Sequence, residues 1–208
     1  MYSKIDVVKG GGFIIPKIYV DRHELSVDKN ALQNLNGYKS KVFWFTGLSG
    51  AGKSTVANAL AKELYNIGRR SYVLDGDNLR LGINADLGFS EQDRIENQRR
   101  VFHIARMMVD AGMITLVATI SPFQEERDMA RSHFQTDEFI EVFLDIPLEV
   151  CEARDPRGLY LKARAGEIKN FTGIGSPYEK PKNPEVIVSD HEMPVDDIVK
   201  KLMLFIDL

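Results

Sequence analysis

The stretch that most constrains this chain is Gly47-Leu48-Ser49-Gly50-Ala51-Gly52-Lys53-Ser54, which matches G-x-x-x-x-G-K-[ST]. It follows the apolar run Val42-Phe43-Trp44-Phe45-Thr46 and precedes a segment in which Val56, Leu60, Leu64 and Ile67 recur every three or four residues. That spacing predicts a buried strand, a glycine turn and an amphipathic helix that begins near Lys53 and ends at Gly68. A loop of this kind turns successive backbone N–H groups inward, and the helix N-terminus adds partial positive charge, so a polyphosphate fits there. Lys53 would reach the β- and γ-phosphates, and the Ser54 hydroxyl would ligate Mg²⁺. Residues 47–54, with Thr55 after them, are therefore the expected triphosphate-binding set.

Further short apolar runs alternate with helical periodicity, the pattern of parallel strands joined by crossover helices. Strands are expected at Ser71–Asp75, Ile114–Ile120, Phe139–Leu144 and Val186–Val188. A long helix capped by Ser90 should run to about Gly112 with Ile95, Phe102, Ala105 and Val109 facing inward. Shorter helices are expected over Pro122 to about His133 and from Leu148 to Arg154, and Val195–Phe205 reads as a final amphipathic helix. The expected architecture is a three-layer α/β/α fold of the P-loop NTPase type, with a five-stranded parallel sheet. The stretch of about 155–180 is too polar for core and suits a mobile lid. Residues 1–34 read as an appendage: a Gly10–Gly12 joint, short edge strands Phe13–Ile15 and Lys17–Val20 around Pro16, and a helix over Leu25–Leu35. Residues 35–208 then form the catalytic domain.

Size and charge narrow the function. A chain of 208 residues suits one domain and excludes motor, transporter and helicase assemblies as complete machines. Its formal charge of −3, from 27 cationic and 30 acidic residues, argues against a nucleic-acid binder. The single cysteine, Cys151, allows no internal disulfide and no cysteine-based zinc site, which fits a reducing cytoplasm; it is expected to be a buried apolar residue. Neither a signal peptide nor a membrane span is visible. His23, His103, His133 and His191 show no ligand spacing. A small kinase and a GTPase switch remain. The chain has no guanine-reading N-K-x-D, and Asp155-Pro156-Arg157-Gly158 fits D-x-x-G only after the fourth strand, where a switch does not place it.

A kinase needs an acceptor pocket. Asp75-Gly76-Asp77-Asn78 ends the second strand, and open α/β sheets bind ligands beyond the carboxyl ends of their strands. Arg80, Arg94, Asn97 and Arg100 follow as donors for an anionic acceptor, with Arg94 and Asn97 three apart on one helix.

From about Leu35 to Ser189 the chain resembles the adenylyl-sulfate kinases. The motifs that carry the likeness are Phe45-Thr46-Gly47-Leu48-Ser49-Gly50, Asp75-Gly76-Asp77-Asn78, Asp86-Leu87-Gly88-Phe89-Ser90, Ile120-Ser121-Pro122-Phe123, Arg154-Asp155-Pro156, Gly158-Leu159-Tyr160 and Asn170-Phe171-Thr172-Gly173-Ile174. The resemblance implies transfer of the γ-phosphoryl of ATP to the 3′-hydroxyl of adenosine 5′-phosphosulfate, with Mg²⁺, in a cytoplasmic homodimer of sulfate assimilation. A kinase of the same fold acting on another small nucleotide or hydroxylated metabolite is the alternative.

By that resemblance Arg80, Arg94 and Asn97 meet the phosphosulfate and ribose, Phe89 and Phe171 enclose the acceptor adenine, and Ile120 and Ser121 also line its pocket. Asp77 orients or deprotonates the hydroxyl, with Asp75 as metal-water ligand or support, and the two roles are interchangeable at this level. Arg154 flanks the ATP adenine and Lys162 reaches the transferred phosphate. The family also carries a proposed phosphoserine at the position of Ser121, but Ser121-Pro122-Phe123-Gln124 reads as an S-x-x-Q capping box with proline first in the helix, so direct transfer is the expectation. The chain departs from the family's usual lysine at Arg157 and Leu161, arginine at Gln124 and acid at Gly175.

Overall fold

The computed structural model describes residues 23–206. The Gly10–Gly12 joint and the strands expected at 13–20 lie outside the described residues. Five strands, β1 (Val42–Thr46), β2 (Ser71–Asp75), β3 (Ile114–Ala118), β4 (Phe139–Leu144) and β5 (Val186–Val188), form one sheet in the order β2-β3-β1-β4-β5, every pair parallel. The expected α/β architecture is the observed one.

β1 lies at the centre and is buried on both faces, which is why its sequence is apolar without alternation. Phe43 and Phe45 pack with Leu60 and Leu64 of α2 (Lys53–Asn66) and Leu202 of α8 (Val195–Met203). Val42 and Trp44 pack on the other face with Val101, Phe102 and Val109 of α4 (Glu91–Asp110). Trimming a fully buried ring such as Phe45 to alanine would cost about 3–5 kcal/mol.

Several boundaries differ from the sequence reading. α1 (Lys29–Asn36) starts later than Leu25 because Asp28 Oδ1 accepts the Ala31 amide, and its end is closed by Gly37 at φ 73°. The helix is fastened to the core by Asn36 Nδ2 donating to Gly112 O and by the Lys29–Glu138 ion pair. On α4, capped by Ser90 as expected, Ile95 is 47% exposed rather than inward-facing. The buried stripe runs through Asn97, Gln98, Val101, Phe102, Ala105 and Val109; at about 100° per residue Ile95 falls at the edge of that stripe rather than at its centre.

The capping box also fails. α5 spans Gln124–Ser132 with Phe123 at the N-cap, and Ser121 makes no cap bond. The free amide of Gln124 is met instead by Glu179 Oε2, 55 residues away, at 2.8 Å. Two short helices within expected turns or lid, α3 (Gly76–Arg80) and α7 (Leu159–Arg164), complete the set with α6 (Leu148–Arg154).

Candidate active site

The phosphate loop is shaped by contacts only glycine allows. A Cβ at Gly47, φ 143°, would stand 2.7 Å from Leu144 O, and one at Gly50, φ 78°, would stand 2.9 Å from Cys151 O. Lys53, 8% exposed, folds back across the loop and donates to Gly47 O at 2.9 Å and Leu48 O at 2.7 Å. Burial pulls its ammonium down to about 8, against the opposing pull of Cys151, Asp77 and Asp75. A polyphosphate beside this ammonium would supply counter-charge and favour its protonated form.

A cleft of about 1030 Å³ opens from this loop across the carboxyl ends of the strands. Ser49–Thr55, Asp75, Asp77, Arg80, Phe89, Arg94, Asn97, Ile120, Ser121, Arg154 and Phe171 all line it. Thus one continuous space holds both sets of residues singled out from the sequence. Gly47 and Leu48 stand behind the wall and contribute the carbonyls that hold Lys53. Lys162, exposed on α7, is not brought to the cleft; Arg157 and Lys169 are the lid cations that line it. Arg100 is also outside, spent on a fork to Asp86 and a pair with Glu96.

The two carboxylates of the Asp-Gly-Asp turn are in different situations. Asp75 caps α3, its Oδ1 accepting the Asp77 and Asn78 amides, while Oδ2 accepts the Ser54 hydroxyl at 2.6 Å. Asp77 points outward and meets Arg157 at 2.8 Å. Ser54 and Asp75 therefore present hard oxygen donors beside the phosphate loop, a donor set that fits Mg²⁺ with its preference for oxygen ligands and retained waters.

Across the cleft, the Arg80 guanidinium lies 4.2 Å over the Phe89 ring and donates to Leu87 O and Gly88 O. Arg94 ties the lid to this wall, donating to Phe89 O, Thr172 Oγ1 and Asn170 O. Asn97 accepts from Asn84, both buried. Phe171 is held edge-on against Tyr160, whose hydroxyl donates to Ser49 O and is pushed above its usual range by burial. Tyr160 thus links the Phe171 ring to the phosphate loop. Asp155 builds the lid's first turn by accepting the Leu159, Tyr160 and Leu161 amides.

Ser121, 1% exposed and at φ 43°, occupies a buried polar knot. Its Oγ accepts Trp44 Nε1–H at 3.0 Å, shares a 2.6 Å bond with Thr119 Oγ1 and donates to Gln98 Oε1 at 3.1 Å. Gln98 and Thr119 were not anticipated, nor were Asp190, His191 and Met193, which line the far end of the cleft. The last three follow β5, and their position beyond a strand's carboxyl end is the signal that would have found them. Arg154 bridges the two sides there, donating to Gly50 O and His191 O.

The family model for adenylylsulphate kinase matches residues 39–189. A probable adenylyl-sulfate kinase of Halalkalibacterium halodurans is 55% identical over 184 residues, 88% of this chain and 91% of the relative. Among solved structures, the Mycobacterium tuberculosis APS kinase CysC in complex with AMPPNP and APS superposes with a TM-score of 0.77 at 50% identity, covering 81% of this chain and 98% of that one. A hexameric APS kinase from Thiobacillus denitrificans gives 0.62 at 28% identity, over 85% of this chain and 31% of that one. A phosphate loop, an arginine-lined second compartment and a lid joining them, together with these likenesses over most of the chain, lead to one assignment: the chain belongs to the adenylylsulphate kinase family.

Proposed function

We propose that this protein transfers the γ-phosphoryl of ATP to the 3′-hydroxyl of adenosine 5′-phosphosulfate, giving 3′-phosphoadenosine 5′-phosphosulfate and ADP. The observation that carries this reading is the single cleft in which the loop 49–55 and the Arg80, Arg94, Asn97, Phe171 wall face a common space. Guanidiniums suit a phosphosulfate dianion and aromatic faces suit a purine. The M. tuberculosis relative binds AMPPNP and APS together, which favours the same pair here.

In this reading the backbone amides of residues 47–54 and Lys53 hold the triphosphate, and Arg154, with His191 and Met193, borders the ATP adenine. Ser54 and Asp75 would hold Mg²⁺, which when bound supplies charge neutralisation on the phosphates. Asp77 takes the proton of the 3′-hydroxyl. Its carboxylate is the freer of the two, since Asp75 already accepts three hydrogen bonds. Lid closure over Phe171 keeps water from the γ-phosphoryl. Transfer is direct: Ser121 Oγ has three close buried partners and no turn toward an attacking position is needed. Residues 35–208 act as the kinase domain with the lid at about 155–180. A homodimer in a reducing cytoplasm completes the reading; among the described residues no helix is long and apolar enough to cross a membrane.

The test is acceptor-dependent release of ADP from ATP and Mg²⁺. Adenosine 5′-phosphosulfate should elicit it, and AMP, gluconate and shikimate should not; equal turnover with any of the three would move the protein to another acceptor. Ser121→Ala should retain more than a few percent of the parent rate, and complete loss in a folded variant would revive the phosphoserine.

A further inference from the structure

Arg127 is 1% exposed, yet it lies outside the cleft and has no part in the transfer described above. Its guanidinium reaches three segments that are distant in sequence. Nη1 donates to Ser121 O at 2.6 Å, Nη2 donates to Glu179 O at 2.7 Å and to Gln124 Oε1 at 3.0 Å, and Nε faces Glu141 Oε1 of β4 at 2.9 Å. The first two acceptors are main-chain carbonyls of two separate pieces, the turn after β3 and the segment behind the lid. Ser121 ends the β3 side of the acceptor wall, and Glu179 is the root where the lid rejoins the core.

Other contacts converge on the same joint. Glu179 N donates to Pro122 O and Glu179 Oε2 accepts the Gln124 amide, while the Tyr178 hydroxyl and Thr46 Oγ1 share a 2.8 Å bond. Ser121 sits at φ 43°, a conformation a non-glycine residue keeps only when its surroundings over-determine it. A buried ion pair such as Arg127–Glu141 gives little net stability compared with apolar residues of the same volume. Fold stability alone does not account for a guanidinium here, whereas a planar fork that serves two carbonyls at once does.

We infer that Arg127 is a positioning residue for phosphoryl transfer, a clamp that sets the Ser121 turn and the lid root in one geometry. The inference rests on the kinase reading above. Gln124, where the family usually carries arginine, supplies the clamp with an acceptor in this chain and also accepts the Lys182 amide.

Two variants test it. Arg127→Lys keeps a cation opposite Glu141, but one ammonium cannot span Ser121 O and Glu179 O. The double variant Arg127→Met with Glu141→Leu removes both members of the buried pair; Arg131, which also meets Glu141, keeps its fork to Glu185, so the core is expected to fold. In both, kcat should fall about 10- to 100-fold and the acceptor KM rise, with the ATP KM within about threefold, as expected when a wall is misplaced without loss of a reacting group. Trp44, the chain's one tryptophan, reports the same event without turnover, because its indole N–H rests on Ser121 Oγ. Its emission should shift in both variants while the far-ultraviolet circular dichroism stays that of the parent.

A folded variant of either kind with parental kcat, acceptor KM and Trp44 emission would overturn the clamp, leaving Arg127 as a packing residue. Absence of acceptor-dependent ADP release in the parent enzyme would instead overturn the kinase reading, and the Trp44 shift would still decide the clamp.

Discussion

The two halves of the cleft are built in different ways. The phosphate-loop side is nearly continuous in sequence: residues 47–55 form loop and helix start, and the Lys53 side chain is held by carbonyls five and six residues back. The acceptor side is assembled from α3, α4, the end of β3 and the lid, and its pieces meet through bonds such as Arg94 to Thr172 and Asn170, 78 and 76 residues apart. A local motif survives change elsewhere in the chain because its geometry is short-range. A composite wall depends on many distant contacts, and each of them is a place where specificity can be lost while the nucleotide loop stays intact.

The sharpest way to break that contrast is Lys53→Ala. It should lower kcat by about 10²–10³-fold or more with any acceptor, since the protein's own cation at the transferred group is lost; the measurement is ADP release at saturating substrates. If only one acceptor's rate fell, the triphosphate side would not be the shared half of the machine.

A second comparison lies within the lid. Arg157→Ala should cost about tenfold in kcat/KM, because this side chain lines the cleft and pairs with Asp77, while Lys162→Ala should change it by less than about twofold. The reverse order would mean that the lid turns over on closing and brings α7 to the phosphate.

The smallest effect concerns stability. Both carboxylate oxygens of Glu126 are buried, and burial raises the group to about 7, against the pull of Arg127, the Phe123 backbone and Arg94. The folded state therefore holds the proton more tightly than the unfolded chain. The stability this contributes is fully present below about pH 4.5 and is lost as pH rises through about 7. Glu126→Gln should match the parent near pH 5 and exceed it at pH 8 by a few degrees in Tm, the scale of about 1 kcal/mol for a domain of this size. A Tm difference that does not change with pH would show that the carboxyl is solvated.

What could be read from the residues alone follows the same division. The strands, α2, the Ser90 cap and the phosphate loop rest on short apolar runs, i to i+4 periodicity, a side-chain cap three residues from its amide and glycine conformations, which are properties of neighbours in the chain. The resemblance carried the acceptor residues, and apart from Lys162 they meet in one cleft. Ser121 reads as a helix cap because Ser-Pro-x-Gln is a good local cap; Trp44 and Gln98, 77 and 23 residues away, take that hydroxyl together with the neighbouring Thr119.

By itself the sequence determined the α/β class, the position of the phosphate loop and the chemistry of the side chains around the cleft. Only the tertiary structure decided that Arg157 and not Lys162 faces Asp77, that Glu179 caps α5, and that Arg127 joins the lid root to the Ser121 turn. The reason is physical: a buried hydrogen bond is specified by two partners and the desolvation of both, and when those partners lie 50 or more residues apart no local pattern encodes their meeting.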